Sequence, residues 1–180
     1  TEEALEWSWK ADRALLEVEG LTVRVTRERT GIVEAEVGDD DDRVRLEWAR
    51  DSAFRFFPLV QHRDFGLVLH PFDLATNKVL ALVGRLEVRD WIDVIECDAR
   101  LQPLGYLAWA ACGKDPGYSP VSLLEHAARS SRYSAAEIAA LEFAGTPPDP
   151  SVLSRRWREL LGTAREVASR GITANAVAPG

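Results

Sequence analysis

The hydrophobic period of this chain changes along its length, and those changes limit what it can fold into. Between residues 21 and 48, apolar and polar side chains alternate. Leu21, Val23 and Val25 do so, then Ile32 with Glu34 and Glu36 and their neighbours, then Val44, Leu46 and Trp48 against Arg45 and Glu47. A period of two buries one face of a strand. From residue 73 onward the apolar positions recur three and four apart, the period of a helix. Segregated strands and helices predict an α+β fold.

The punctuation fits that division. Residues 2–19 read as an amphipathic helix through Leu5, Trp9, Ala11, Leu15 and Val18, with Gly20 as its stop. A turn at residues 27–31 makes a hairpin, and Gly38 with the following aspartates makes a second turn. Residues 54–60 and 66–70 are shorter strand candidates, Pro58 making the first an edge or a broken strand. Helices are expected at 73–86, 89–101, 104–112, 121–129, 135–143 and 150–169. Ser119 and Ser134 stand as N-caps, and Ser134 with Glu137 forms a capping box. The tail after Gly171 is expected to be loose. The resulting organisation is a sheet region at 1–70, motif-bearing helices at 71–101 and a helical block at 102–180.

Composition narrows the function classes. The net charge of −7 disfavours a protein that clamps duplex nucleic acid over a wide surface. No apolar run reaches the length of a membrane span, and no leader pattern opens the chain. Cys97 and Cys112 lie far apart without metal-ligand spacing, the pattern of reduced cysteines in a cytoplasmic protein. Methionine is absent, so Thr1 is not expected to be a natural translation start: the chain is processed or cut, or further residues precede it. Lysine occurs only at positions 10, 78 and 114, which draws attention to any lysine inside an apolar helical pattern.

Lys78 is such a lysine. It lies in the segment His70-Pro71-Phe72-Asp73, then Asn77-Lys78, Ala81 and Arg85, then Arg89-Asp90 and Asp93. Asp73 is placed to accept bonds from first-turn amides of a helix. Lys78 and Arg85 are two turns apart and project from one face. Ala81 between them keeps that face low, leaving a slot between two cations that an anion could enter. Asp90 and Asp93 share a face of the next helix, where Arg89 and Asp93 can pair four residues apart. Acids at a helix start also complement its dipole, each by about 0.3–1 kcal/mol, which is the purely structural reading of the same residues.

The pattern Asp-Leu-x-x-x-Lys-x-x-Ala-Leu-x-x-Arg-x-x-x-Arg-Asp-x-x-Asp, at residues 73–93, resembles the second half of the AbiEii/AbiGii-type nucleotidyltransferase toxins. The resemblance implies a nucleotidyltransferase-like mixed sheet ahead of the helices. It implies transfer of a nucleotidyl group from a nucleoside triphosphate (NTP), with Mg2+, to an RNA or protein acceptor, and an antitoxin as partner. It implies Lys78 at the phosphates, with Asp73, Arg85, Arg89, Asp90 and Asp93 as supporting site residues and Asp90 near the chemistry. Glu47, on the strand before a phenylalanine-rich stretch, matches the family's additional acidic residue, as catalytic group and metal ligand; it reads equally as a solvent-face residue. The family's Gly-Ser or Gly-Gly turn with Asp-x-Asp does not occur in these residues. Metal-dependent transfer needs such carboxylates, so the competing expectation is a catalytically inactive binding module on the same scaffold.

Other signals have simpler explanations. His62-Arg63-Asp64-Phe65-Gly66 overlaps two kinase motifs that are separate in kinases, and a turn explains it. The aspartates at 39–42 lack the spaced ligands of a calcium loop. Gly113-Lys114 lacks the loop of a phosphate cradle. His62, His70 and His126 have no zinc-like partners in sequence; His70 suits a capping or packing role.

Overall fold

The computed structural model describes residues 1–39, 41–50, 54–129 and 133–170. They form two compact units, Thr1–Ala53 and Phe54–Gly180. The division falls earlier in the chain than the expected boundary at residue 70.

In the first unit, helix α1 (Glu2–Val18) starts where Thr1 accepts a hydrogen bond from the Ala4 amide at 3.2 Å. Strands β1 (Thr22–Arg29), β2 (Ile32–Gly38) and β3 (Arg43–Ala49) follow as an antiparallel meander in the order β1-β2-β3. The register sets Val23 against Val37 and Ala35 against Leu46, so alternate residues line one face. That face buries Val23, Ala35 and Val37, with Leu16 of α1 and Trp48 packed around them. Trp9 of α1 lies 6.3 Å from the Trp48 ring, whose Nε1 donates to Asp12 at 2.8 Å. The β1–β2 turn is tighter than expected, because Arg29 already pairs with Ile32 and Gly31 takes φ +80°. On the other face Glu34, 7% exposed, receives Arg27 at 3.2 Å and Arg45 at 2.8 Å.

The second unit opens with a segment lacking regular structure and a short hairpin, β4 (Val60–His62) and β5 (Gly66–Val68). Among the described residues six helices follow: α2 (Pro71–Arg85), α3 (Val88–Arg100), α4 (Leu104–Lys114), α5 (Pro120–Ala127), α6 (Ala135–Ala139) and α7 (Pro150–Arg170). Ser119 and Ser134 both cap through reciprocal boxes, the former with Ser122 and the latter with Glu137. Helix α6 stops short of the expected residue 143. The tail after Gly171 lies outside the described residues.

The helices enclose one large core that includes Leu82, Trp91, Ile95, Leu107, Leu124 and Trp157. Helix α4 crosses α7 closely at Gly105, where an added Cβ would stand 2.8 Å from Val167 Cβ. Only the hydrogen of glycine fits that crossing.

The α+β class stands. The expected mixed sheet does not: among the described residues every strand pair is antiparallel. Residues 54–59 form no strand, and β4 begins only at Val60. No helix of the described residues is long and apolar enough to cross a membrane.

Candidate functional site

The residues singled out in sequence separate into three places. The first is the junction of α2 and α3. Pro71 at the helix start and His70, whose Nδ1 accepts from the Phe72 amide at 3.2 Å, set where α2 begins. Helix α2 ends at Leu86, a non-glycine residue in the left-handed region with φ 53° and ψ 43°. That corner turns the chain back, so that α3 lies against α2.

The reversal brings Asp90 onto the cationic face of α2. Asp90 is completely buried. Arg85 grips it with two hydrogen bonds, Nε to Oδ2 at 2.7 Å and Nη2 to Oδ1 at 3.0 Å. Charge-assisted contacts of this kind contribute about 1.5–3 kcal/mol. Lys78 Nζ stands 3.7 Å from Asp90 Oδ1 and 2.8 Å from Asp93 Oδ2. The slot between Lys78 and Arg85 therefore holds an anion, and the anion is the protein's own Asp90. Arg89 does not pair with Asp93 as its spacing suggested; its Nε meets Glu87 at 2.8 Å.

The Lys78 side chain is 31% exposed and opens on a cavity of about 260 Å³ between α2 and α3. Leu74, Cys97 and Leu101 are its apolar lining, and Lys78, Asp93, Glu96 and Arg100 its charged one. Burial, and then the Asp93 carboxylate, push the Cys97 thiol up despite the opposing pull of Lys78. The thiol therefore stays protonated and is a poor nucleophile.

The second place is the start of α2. Asp73, expected at the nucleotide, does not line that cavity. It is completely buried, and its oxygens accept from the Phe56 amide at 2.9 Å, the Phe57 amide at 3.0 Å and Lys114 Nζ at 2.7 Å. Lys114, at the end of α4, also donates to Asn77 Oδ1 at 2.8 Å and lies 5.7 Å from the centre of the Phe56 ring. Burial alone would push the Asp73 carboxyl up; Lys114 and the two amides outweigh it and hold the carboxyl below the ordinary carboxylate range. Sequence reading missed Lys114 as a partner. Its one available signal was the scarcity of lysine combined with its place at the end of an apolar helix.

The third place is β3, in the other unit, where Glu47 is exposed and stands across the ladder from Glu34. Among the described residues no group of three or more His, Cys, Asp or Glu could hold a metal ion. The Mg2+ that the resemblance implies depends on the Gly-Ser or Gly-Gly turn with Asp-x-Asp, a motif that does not occur in these residues.

No family model, curated protein or solved structure matches this chain. The likeness to the AbiEii/AbiGii-type proteins is carried by the residue pattern at 73–93 alone.

Tyr133 is a further residue that sequence did not flag. Among the described residues its hydroxyl is buried without a hydrogen-bond partner, with its ring 5.3 Å from Trp91. Burial, aided by the nearby Asp90 charge, pushes it up to about 12.

Proposed function

We propose that this chain is part of a nucleotidyltransferase-like protein, and that it contributes an NTP phosphate contact through Lys78 at the mouth of the α2–α3 cavity. One observation supports the reading above the others. Lys78 is held by a buried aspartate and a half-exposed one, yet keeps a third of its side chain open to solvent beside a cavity. Asp90, held in place by Arg85, faces the ammonium from behind. An incoming phosphate displaces only the Asp93 contact, an exposed pair of the kind that contributes about 0–1 kcal/mol. The proposed reaction is transfer of the nucleotidyl group to an RNA or protein acceptor, in a toxin controlled by an antitoxin. It needs metal-binding carboxylates beyond those the described residues bring together.

A second reading has its own support. Lys78, Arg85 and Arg89 face Glu87, Asp90 and Asp93, so the charges at the corner balance without a ligand. A catalytically inactive binding module would look like this.

Calorimetric titration of the four common NTPs, with and without Mg2+, decides between them. Saturable binding that Lys78→Ala abolishes, and that Lys78→Arg partly restores, supports the phosphate contact. No binding by the unmutated protein, or equal binding by the alanine variant, removes Lys78 from the function and leaves the module reading.

A further inference from the structure

Residues 54–59 have no regular structure, yet two of their amides point inward to a buried charge. Strands β4 and β5 follow directly, three residues each, and among the described residues no helix packs extensively along either of them. Phe65 at the hairpin tip is 77% exposed and Leu67 is 65% exposed. Two-stranded hairpins are marginal on their own, so this arm depends on how its roots are held.

Both roots converge on one place. The incoming root is held by the Phe56 and Phe57 amides on the Asp73 carboxylate. The outgoing root is His70, which caps α2 and stacks on the Phe57 ring at 4.3 Å. Phe72 meets the edges of Phe56 and Phe57, with centroids 5.4 and 5.6 Å apart. Beneath them Lys114, with 4% of its side chain exposed, neutralises Asp73. The carboxylate can remain charged in the interior only because that ammonium is there. The two amide bonds therefore depend on a residue of α4, the helix whose Gly113 also lies beside the Phe56 ring.

We propose that the Asp73–Lys114 pair is a latch: it docks residues 54–68 as a strap on the helical block, and the strap releases as one unit while α2, α4 and α7 remain folded. The chemistry fits a latch better than a greased contact. Phe56 and Phe57 keep about two-fifths of their surface in solvent, at 38% and 40%, so apolar burial holds the strap only partly. The polar part of the hold lies in charge-assisted bonds to one carboxylate, and these are lost together when its charge is no longer balanced. Segments with few buried contacts and a small number of critical bonds are those that open below the global unfolding limit.

Hydrogen exchange on the full chain, read by peptide, tests this. In Asp73→Asn and Lys114→Met, peptides spanning 54–68 should exchange faster by about tenfold or more, while those from α2, α4 and α7 keep their protection. Unchanged exchange of the strap in both variants overturns the latch. So does simultaneous loss of protection in the strap and the three helices, which would make the pair a strut of the whole core. If neither variant folds, the unmutated protein in rising urea carries the test. Release of 54–68 at concentrations where α7 is still protected supports the latch, and coincident release overturns it.

Discussion

Asp73 and Asp90 are both completely buried at the helical core, but their cations differ in reach. Lys114 has 4% of its side chain exposed and serves Asp73 from a neighbouring helix. Lys78 and Arg85 are 31% and 46% exposed, and serve Asp90 from the adjoining one. A cation sealed with its carboxylate cannot be lent to a ligand, because releasing it would strand a charge in the interior. A cation that remains in contact with water can exchange partners. The α2 start is thus an anchor, and the α2–α3 corner is the place where a ligand could compete.

Substitutions sharpen that contrast. Asp73→Ala should have the largest effect, costing about 3–5 kcal/mol of the strap's docking as it leaves Lys114 without a counter-charge. Hydrogen exchange of peptides from residues 54–68 measures it; a cost under about 1 kcal/mol would mean Lys114 reaches water readily and the anchor is no anchor. The same residue sets an acid limb. Its folded carboxyl lies below the ordinary range while the unfolded one does not. The unfolded chain therefore takes up the proton first as pH falls. Stability from Asp73 is complete above the ordinary carboxylate range and drains away as pH drops toward the lowered value. In Asp73→Asn that part of the pH dependence should flatten.

Asp90→Ala should cost less, about 1.5–3 kcal/mol, since Arg85 and Lys78 can turn to solvent. A loss as large as that of Asp73→Ala would erase the distinction. Lys78→Ala should cost the least, about 0–1 kcal/mol, because Arg85 still holds Asp90 by two bonds. If its melting transition falls as far as that of Asp90→Ala, Lys78 is a structural strut and has no slack for a phosphate.

Local signals carried most of the fold. The alternation at 21–48 anticipated the meander, and Gly20, Pro103 and the serine caps marked element ends that the structure keeps. Lys78 and Arg85 were legible as one face because two turns of a helix make them so. What the sequence could not carry was the identity of their counter-ion, which depends on the corner at Leu86. Residues 54–60 misled for a related reason. Their phenylalanines look like strand residues, but the amides that would join a ladder go to Asp73, 16 and 17 positions away. The partner of that carboxylate lies 41 positions further on. Such pairings arise from helix packing and leave no periodic trace.

The left-handed Leu86 has a geometric consequence. Were α2 to run straight into α3, Lys78 and Asp90 would stand about 18 Å apart along the axis, at 1.5 Å per residue. The left-handed Leu86 and the extended Glu87 after it close that gap. A change that straightened the elbow would dismantle the ionic cluster while leaving every one of its side chains in the sequence.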